Sequence, residues 1–224
     1  MAPRAIVFDL LTALLDSWGL WAKAADNDRK ASYQWRTRYL ELTFSCGAYR
    51  PYDDLVYESA RDVGLPDSVP QALINKWDQM RPWPETRDVL RQLKEKGYRL
   101  GVVSNCSHEL GRQAVALCGV EFDAFVTAEE AGFYKPHPKA YATILSALGV
   151  EPKDALFIAG SNGDVVGAAE AGMDVVWHNR VGLPTLSGSR PCLEGRSLEV
   201  VLEYLSQAEG TPSSRTSSQS PSRL

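Results

Sequence analysis

Short apolar runs recur along the chain and are separated by longer segments with amphipathic spacing. The first run is RAIVFD at residues 4–9, and similar runs follow at 99–104, 122–126, 155–159 and 174–177. Apolar runs of this length, without regular alternation of polar positions, are typical of strands that are buried on both faces of a sheet. The pattern therefore predicts five buried strands.

The segments between the later runs carry apolar residues at helical spacing, and a glycine follows the end of each. The predicted helices span residues 86–96, 107–118, 138–148 and 164–171, and the glycines are Gly97, Gly119, Gly149 and Gly172. Glycine is typical of the position just after a helix. Strands that alternate with helices predict an α/β fold, here a Rossmann-like, doubly wound parallel sheet.

The segment after the first strand has a different character. From residue 15 to about residue 80 it is rich in charged and aromatic residues at helical spacing, which predicts about four helices and no strand. The proline-rich stretch RPWPET then marks a boundary. We therefore expect a core domain of residues 1–15 and 82–207, with an inserted helical cap domain of residues 16–81.

Composition and charge exclude several classes of protein. The 224 residues carry a formal net charge of −4, which does not favour binding to nucleic acid or to an anionic membrane. No run of 18 apolar residues occurs, and the N-terminal stretch lacks the pattern of a signal peptide. A mildly acidic surface still allows a small anionic substrate, because the local charge of a pocket can oppose the overall charge.

The cysteines and histidines do not form a recognisable metal site. The four cysteines are far apart without a CxxC pair, and the three histidines show no HxxxH pattern. We interpret the cysteines as reduced thiols of an intracellular protein.

Residues 208–224 are predicted to be a disordered tail, because residues 210–224 (GTPSSRTSSQSPSRL) contain almost no apolar side chain. The last three residues, Ser222, Arg223 and Leu224, are similar to the Ser-Lys-Leu peroxisomal address. Either this tripeptide binds a peroxisomal import receptor or a tail rich in serine and arginine ends this way by chance. The expected location is cytoplasmic or peroxisomal.

Polar residues stand where three predicted strands end. Asp9 ends the first strand, Ser104 and Asn105 follow the second, and the loop at 159–164 follows a later one. Ligands of open α/β sheets bind outside the carboxyl ends of the strands, so these groups are expected to share one crevice. By itself, Asp9 fits a catalytic carboxylate, a helix cap or a buried ion pair.

Four local patterns resemble the haloacid dehalogenase superfamily, and in it most of all the L-2-haloacid dehalogenases, over residues 1–207. Residues 9–14 (DLLTAL) are similar to the motif Asp-x-x-Gly-Thr-Leu, and residues 35–43 (WRTRYLELT) to Trp-Arg-x-x-x-Leu-Glu-x-Thr. Residues 135–141 (KPHPKAY) match Lys-Pro-x-Pro-x-x-Tyr, and residues 164–172 (DVVGAAEAG) match Asp-x-x-Gly-Ala-x-x-Ala-Gly.

The resemblance implies a role for each matching residue. Asp9 would be the nucleophile that forms an ester, and Arg36 would hold the departing halide. Lys135 would keep Asp9 ionised, and Asp164 would hold Lys135 and position the water. Substrate contacts are implied for the backbone N–H groups of Leu10 and Leu11 and for the side chains of Ser104, Asn105, Tyr141 and Ser161.

Ordinary structural roles compete with some of these assignments. Arg36 could be an exposed helix arginine. Asn105 and Asp164 could cap the helices that follow them, because both residue types favour those positions. The resemblance also implies a homodimer.

Departures from the superfamily patterns bear on the choice of reaction. The phosphatases of the superfamily place a second aspartate at the position of Leu11, and often their first late-loop acid where this chain has Ala159. Only Asp9 and Asp164 remain as metal-binding acids, which favours a reaction without a cofactor over a Mg²⁺-dependent phosphatase. Thr12, Ala13, Ala159 and Ser161 also differ from the dehalogenase pattern, so a binding protein without catalysis is a third alternative.

Overall fold

A parallel sheet of six strands runs through the part of the chain that this computed structural model describes, residues 2–210 apart from 187 and 189. The strand order is β3-β2-β1-β4-β5-β6, with β1 at the centre. This is the order of a doubly wound Rossmann-like sheet, as predicted. The strands are β1 (Ala5–Asp9), β2 (Arg99–Ser104), β3 (Ala124–Thr127), β4 (Ala155–Ala159), β5 (Asp174–His178) and β6 (Leu193–Gly195).

Helices cover both faces of the sheet, which is why its central strands are apolar without alternation. Ile6 and Phe8 pack into one core cluster and Val7 into another on the opposite face. The helices of the core are α5 (Thr86–Glu95), α6 (His108–Leu117), α7 (Ala128–Ala131), α8 (Pro138–Leu148), α9 (Asn162–Glu170) and α10 (Val200–Gly210). Four further helices, α1 to α4, precede them in the chain.

The four helices expected between residues 16 and 81 are present. They are α1 (Ser17–Ala24), α2 (Arg29–Cys46), α3 (Tyr52–Asp62) and α4 (Ser68–Asn75), and we call residues 16–81 the helical insertion. Its interior is aromatic: the rings of Trp21 and Trp35 lie 4.2 Å apart between centroids, and Tyr39 and Tyr52 pack edge to face. Such contacts add to the stabilisation that burial of the rings provides.

The chain enters and leaves the helical insertion at neighbouring points. Leu15 and Pro82 form an antiparallel bridge, and the N–H of Asp16 donates to the carbonyl oxygen of Arg81 at 2.8 Å. The division into a core domain of residues 1–15 and 82–207 and a cap domain of residues 16–81 stays a prediction. Whether the two parts move as separate domains stays a prediction.

Several boundaries differ from those expected. Helix α9 begins at Asn162 and not at 164, because the hydroxyl of Ser161 caps it by accepting from the N–H of Asp164. Strand β3 begins at Ala124 and not at 122, since the carboxylate of Asp123 accepts from the N–H of Leu100 just before the ladder begins. The short elements β6 and α7 and the long helix α10 were not predicted.

Helix α10 also corrects the start of the expected tail. Residues 208–210 belong to this helix, so irregular chain does not begin at residue 208. The rest of the expected tail, 211–224, lies outside the described residues, and so does the terminal tripeptide. In the part of the chain that is described, every helix is too short or too polar to cross a bilayer.

Candidate active site

The carboxylate of Asp9 is held at the end of the central strand by three donors. Its Oδ2 accepts from the N–H groups of Thr12 at 2.9 Å and Ala13 at 3.1 Å, while Oδ1 accepts from Nζ of Lys135 at 2.9 Å. The side chain is almost entirely buried. A buried carboxylate needs such partners, since an unpaired charge in the interior is strongly unfavourable.

Lys135 is shared between two carboxylates. Its Nζ also donates to Oδ2 of Asp164 at 3.1 Å, and the lysine is 1% exposed. Lys135 follows α7, Asp9 ends β1, and Asp164 lies in the first turn of α9, so three separate segments meet at one edge of the sheet. This is the convergence that the strand pattern predicts.

The pKa values of the two carboxylates are shifted in opposite directions. Burial alone would raise the pKa of Asp9, but the ammonium of Lys135 and the two backbone N–H groups outweigh it and hold that pKa below its ordinary value. For Asp164, burial prevails and, with the nearby charge of Asp9, raises the pKa above its ordinary value despite Lys135. Burial would lower the pKa of Lys135, yet Asp164 and Asp9 raise it. Asp9 is therefore ionised and Lys135 charged at neutral pH.

Tyr141 and Ser161 bind Asp164. The phenol of Tyr141 donates to Oδ1 at 3.1 Å, and the hydroxyl of Ser161 donates to Oδ2 at 3.1 Å. Asp164 thereby accepts three side-chain hydrogen bonds, from Tyr141, Ser161 and Lys135. Asp164 does not cap α9, because Ser161 occupies that position, but a carboxylate in the first turn of a helix is stabilised by the helix dipole.

Asn105 does not cap helix α6, since Ser107 occupies that position and its hydroxyl accepts from the N–H of Leu110. The Asn105 amide binds the backbone of Lys135 instead. Its Oδ1 accepts from the Lys135 N–H at 2.7 Å, and its Nδ2 donates to the Lys135 carbonyl oxygen at 2.9 Å. Asn105 thus fixes the backbone that carries the ammonium.

Arg36 is buried, not an exposed helix arginine. The residue is 3% exposed, and the central carbon of its guanidinium lies 4.6 Å from the ring centroid of Trp21 and 5.1 Å from that of Tyr39. One amino group donates to the hydroxyl of Ser17 at 3.3 Å. In the described structure, Nε and the other amino group have no hydrogen-bond partner. Such unmet donors on a buried cation are costly, so the site is suited to an incoming anion.

These groups enclose a cavity between the sheet edge and the helical insertion. Its free volume is about 20 Å³, which is room for little more than one water molecule. Its walls are formed by Asp9, Leu11, Thr12, Arg36, Tyr39, Leu40, Phe44, Asn105, Lys135, Ser161 and Asp164. The nucleophile candidate, the ammonium and the guanidinium therefore share one space.

Three of the residues singled out in the sequence do not line this cavity. The side chain of Leu10 packs in the core, and Tyr141 reaches the site only through Asp164. Ser104 is fully buried, and its hydroxyl lies 3.4 Å from Sγ of Cys106. A direct substrate contact of Ser104 would require rearrangement of the strand end.

The position that faces Asp9 from the late loop is Gly160 and not Ala159. Ala159 packs in a core cluster. A Cβ at Gly160 would lie 2.6 Å from Oδ2 of Asp9, so only glycine fits there. In the described residues, no group of three or more acidic, histidine or cysteine side chains could hold a metal ion.

The sequence interpretation missed four residues that line the cavity: Thr12, Tyr39, Leu40 and Phe44. Three of them lie three, four and eight positions after Arg36 on α2, which places them on the same helix face. That spacing is the signal that could have identified them. Thr12 directly follows the predicted nucleophile segment, and its backbone role has no sequence signature.

The strand order and the helical insertion define the class of the fold, a Rossmann-like core with an inserted helical block, and the paired charges lie at the edge of its sheet. The chain belongs to the haloacid dehalogenase-like hydrolase family, whose model matches residues 6–178.

Individual relatives fit this membership. The haloacetate dehalogenase H-2 of Moraxella sp. (strain B) is 30% identical over 195 residues, which are 80% of this chain and 87% of that protein. The (S)-2-haloacid dehalogenase of Pseudomonas sp. (strain YL) is 27% identical over 92% of this chain and 96% of its own length. The solved structure of the L-2-haloacid dehalogenase RSc1362 superimposes with a TM-score of 0.82 at 27% identity, covering 92% of this chain and all of that one.

Proposed function

We propose that this protein hydrolyses small 2-halo carboxylic acids, displacing the halide through an ester on Asp9. Similarity to a haloacetate dehalogenase and to an (S)-2-haloacid dehalogenase over most of their length supports the reaction class. The reaction needs no cofactor, because Lys135 supplies the positive charge beside the nucleophile.

One observation carries this proposal: an ionised carboxylate and a guanidinium with unmet donors line the same closed cavity. Asp9 is held by Lys135 and does not bind Arg36. In the described structure, two nitrogens of Arg36, Nε and Nη1, have no hydrogen-bond partner. A nucleophile opposite an anion site is the arrangement that displacement of an anionic leaving group requires.

In the first step, Oδ1 of Asp9 attacks the carbon that bears the halogen. The new C–O bond forms as the C–halogen bond breaks, and the halide leaves with the bonding electrons toward Arg36. Oδ1 is the better attacking atom, since Oδ2 is held by two N–H groups and packs against Gly160. The substrate carboxylate would be bound by the N–H groups of Leu10 and Leu11, and the second amide hydrogen of Asn105 would face the halide.

In the second step, water attacks the carbonyl carbon of the Asp9 ester. The water proton passes to Asp164, whose raised pKa suits it as a base. Negative charge then develops on Oδ2, where the N–H groups of Thr12 and Ala13 already donate. Collapse breaks the bond between Cγ and Oδ1, and the departing alkoxide takes the proton from Asp164 to give a 2-hydroxy acid. Asp9, which keeps the second water proton as a carboxylic acid, releases that proton to solvent and is again a carboxylate.

Substrate entry would require the helical insertion to move as a cap domain. A volume of about 20 Å³ is too small for a haloacid, since a water molecule alone fills most of it. The paired strands at Leu15 and Pro82 are the natural hinge, because the chain crosses between the two parts there.

The test is halide release from chloro- and bromo-acids, with phosphate esters screened in parallel with and without Mg²⁺. Asp9→Asn should release no halide while its circular dichroism stays unchanged. One turnover in ¹⁸O-enriched water should place the heavy isotope in the peptide that contains Asp9. Phosphate release without halide release would instead identify a phosphatase, and neither activity would indicate a binding protein; both results contradict the proposal.

Assembly and location form a separate proposal. A homodimer, which the family resemblance implies, would be detected by light scattering of the purified chain. Where Leu224 is the last residue of the protein, the terminal Ser222-Arg223-Leu224 would direct it to peroxisomes through the import receptor; otherwise the location would be cytoplasmic. Imaging of the chain with and without these three residues separates the two locations.

A further inference from the structure

An apolar groove lies on the outer side of the catalytic cavity. It runs between helix α2 and the loop at 183–186, and its volume is about 220 Å³, roughly ten times that of the closed cavity. The side chains that shape it include Tyr33, Thr37, Leu40, Phe44, Leu183 and Leu186. Tyr33 and Leu186 are exposed for 51% and 42% of their surface, so the groove is open to solvent.

The groove and the catalytic cavity have a common wall. Among the described residues, Leu40 and Phe44 are the two that line both spaces. The ring of Phe44 lies directly on Gly163 at the start of α9, where any Cβ would collide with it. The barrier between nucleophile and groove is therefore two half-buried apolar side chains without a polar anchor.

Charge gives the two spaces different roles. The cationic groups, Arg36 and Lys135, face the cavity, whereas the groove wall, as far as the structure describes it, includes no lysine, arginine or histidine. The carboxylate of Glu41, which also lines the groove, is paired with Arg38 at 2.9 Å. A molecule with an anionic head and an apolar tail would thus place its head in the cavity and its tail in the groove.

We propose that the groove is a binding subsite for an extended apolar substituent on C2 of the substrate. This inference rests on the proposed function and narrows its substrate class to 2-halo acids with an alkyl or aryl chain. Such a tail would displace Leu40 and Phe44 and cover apolar surface that is now exposed. Each methylene buried there should raise kcat/KM about fourfold, the change that corresponds to transfer of one CH₂ out of water.

The experiment compares 2-bromopropanoate with 2-bromohexanoate and 2-bromooctanoate on three forms of the full chain. In the wild type, kcat/KM should rise with chain length. In Leu186→Asp, a charge at the groove should remove most of that rise and leave 2-bromopropanoate unchanged. Val181→Asp is the matched control, because Val181 is exposed in the same loop region, 36% of its surface, but does not line the groove.

A binding measurement separates this inference from the proposed chemistry. Calorimetry with the Asp9→Asn form should give tighter binding of octanoate than of butanoate, and adding Leu186→Asp should reduce the difference. If no halide is released from any acid, the proposed function is wrong. The calorimetric comparison of octanoate and butanoate still tests whether the groove binds an apolar chain. Equal kcat/KM for all chain lengths, or equal losses in Leu186→Asp and Val181→Asp, would overturn the subsite.

Discussion

Nε1 of Trp83 donates a hydrogen bond of 2.9 Å to the carbonyl oxygen of Thr12. That carbonyl shares a peptide group with the N–H of Ala13, which donates to Oδ2 of Asp9. The next carbonyl oxygen, that of Ala13, lies 2.8 Å from Nδ1 of His178. A hydrogen bond on a carbonyl polarises the peptide group and strengthens its N–H as a donor. Trp83 therefore positions the nucleophile from behind, without touching the cavity, and His178 contacts the same backbone segment one residue further on.

Replacing Trp83 by phenylalanine removes the donor and keeps most of the ring. We expect kcat to fall about tenfold, the effect of a barrier raised by the worth of one hydrogen bond. KM should change little, because Trp83 does not line the cavity. Steady-state kinetics of halide release measures both constants.

The control for this variant is Trp77→Phe. Trp77 also donates from Nε1 to a backbone carbonyl, that of Leu110 at 2.8 Å, but far along the chain from the nucleophile segment. Both variants should lower the melting temperature, and only Trp83→Phe should lower kcat. An equal fall in kcat for both would mean that Trp83 is merely structural.

Arg36→Lys tests the anion site. Lysine keeps the charge but lacks the planar fork that stacks among Trp18, Trp21 and Tyr39. We expect kcat/KM for halide release to fall about a hundredfold, through loss of two donors to the leaving group. Arg38→Lys on the same helix is the control, since Arg38 pairs with Asp62 and Glu41 at the surface. Similar losses in both variants would argue against an anion site at Arg36.

The pH dependence of ester formation follows from the two shifted groups. Asp9 is ionised above a pKa that lies below its ordinary 3.8, and Lys135 is protonated up to a pKa above its ordinary 10.5. The halide burst of a single turnover should therefore be independent of pH between these ordinary values, wherever circular dichroism shows a folded chain. If the size of the halide burst changes with pH and has a titration midpoint inside that range, Lys135 does not hold Asp9 ionised.

The sheet and most of the site could be predicted because both depend on local patterns. Strand β4 and helix α8 occur at the predicted residues. An unbroken apolar run is a strong signal for the strand, and a proline at the start with a glycine just after the end is a strong signal for the helix. Strand β6 was missed because none of its three residues is fully buried and they form no apolar run. Helix α7 is a single turn, fixed by the capping box of Thr127 and Glu130.

Side-chain direction was the part of the site that sequence could not give. A strand end predicts that Ser104 and Asn105 lie near the crevice, but one points into the core and the other binds the Lys135 backbone. The same limit applies at positions 159 and 160. Successive residues at a strand end face opposite sides, and only the structure shows that Gly160 is the one beside Asp9.

Lys135→Met should destabilise the fold because it leaves Asp9 and Asp164 buried without a cation. Breaking a buried pair in this way costs about 3–5 kcal/mol at neutral pH. Without the ammonium, the pKa of both carboxylates in the folded state rises above the unfolded value. A raised carboxyl pKa gives stability that is present below the unfolded value and lost as pH rises. The difference in unfolding free energy between wild type and Lys135→Met should therefore become smaller as the pH falls toward 3.8, the ordinary pKa of an aspartate.

Urea unfolding across this pH range measures the loss of unfolding free energy in Lys135→Met, and a double-mutant cycle identifies its cause. Adding Asp9→Asn to Lys135→Met removes one of the two unpaired charges, so the double variant should be more stable than Lys135→Met alone. The coupling should be largest at neutral pH and fall on acidification, because protonation of Asp9 replaces the effect of the substitution. If the loss of unfolding free energy does not depend on pH, it comes from lost packing of the lysine side chain. The ion pairs among Asp9, Lys135 and Asp164 would then contribute nothing to stability.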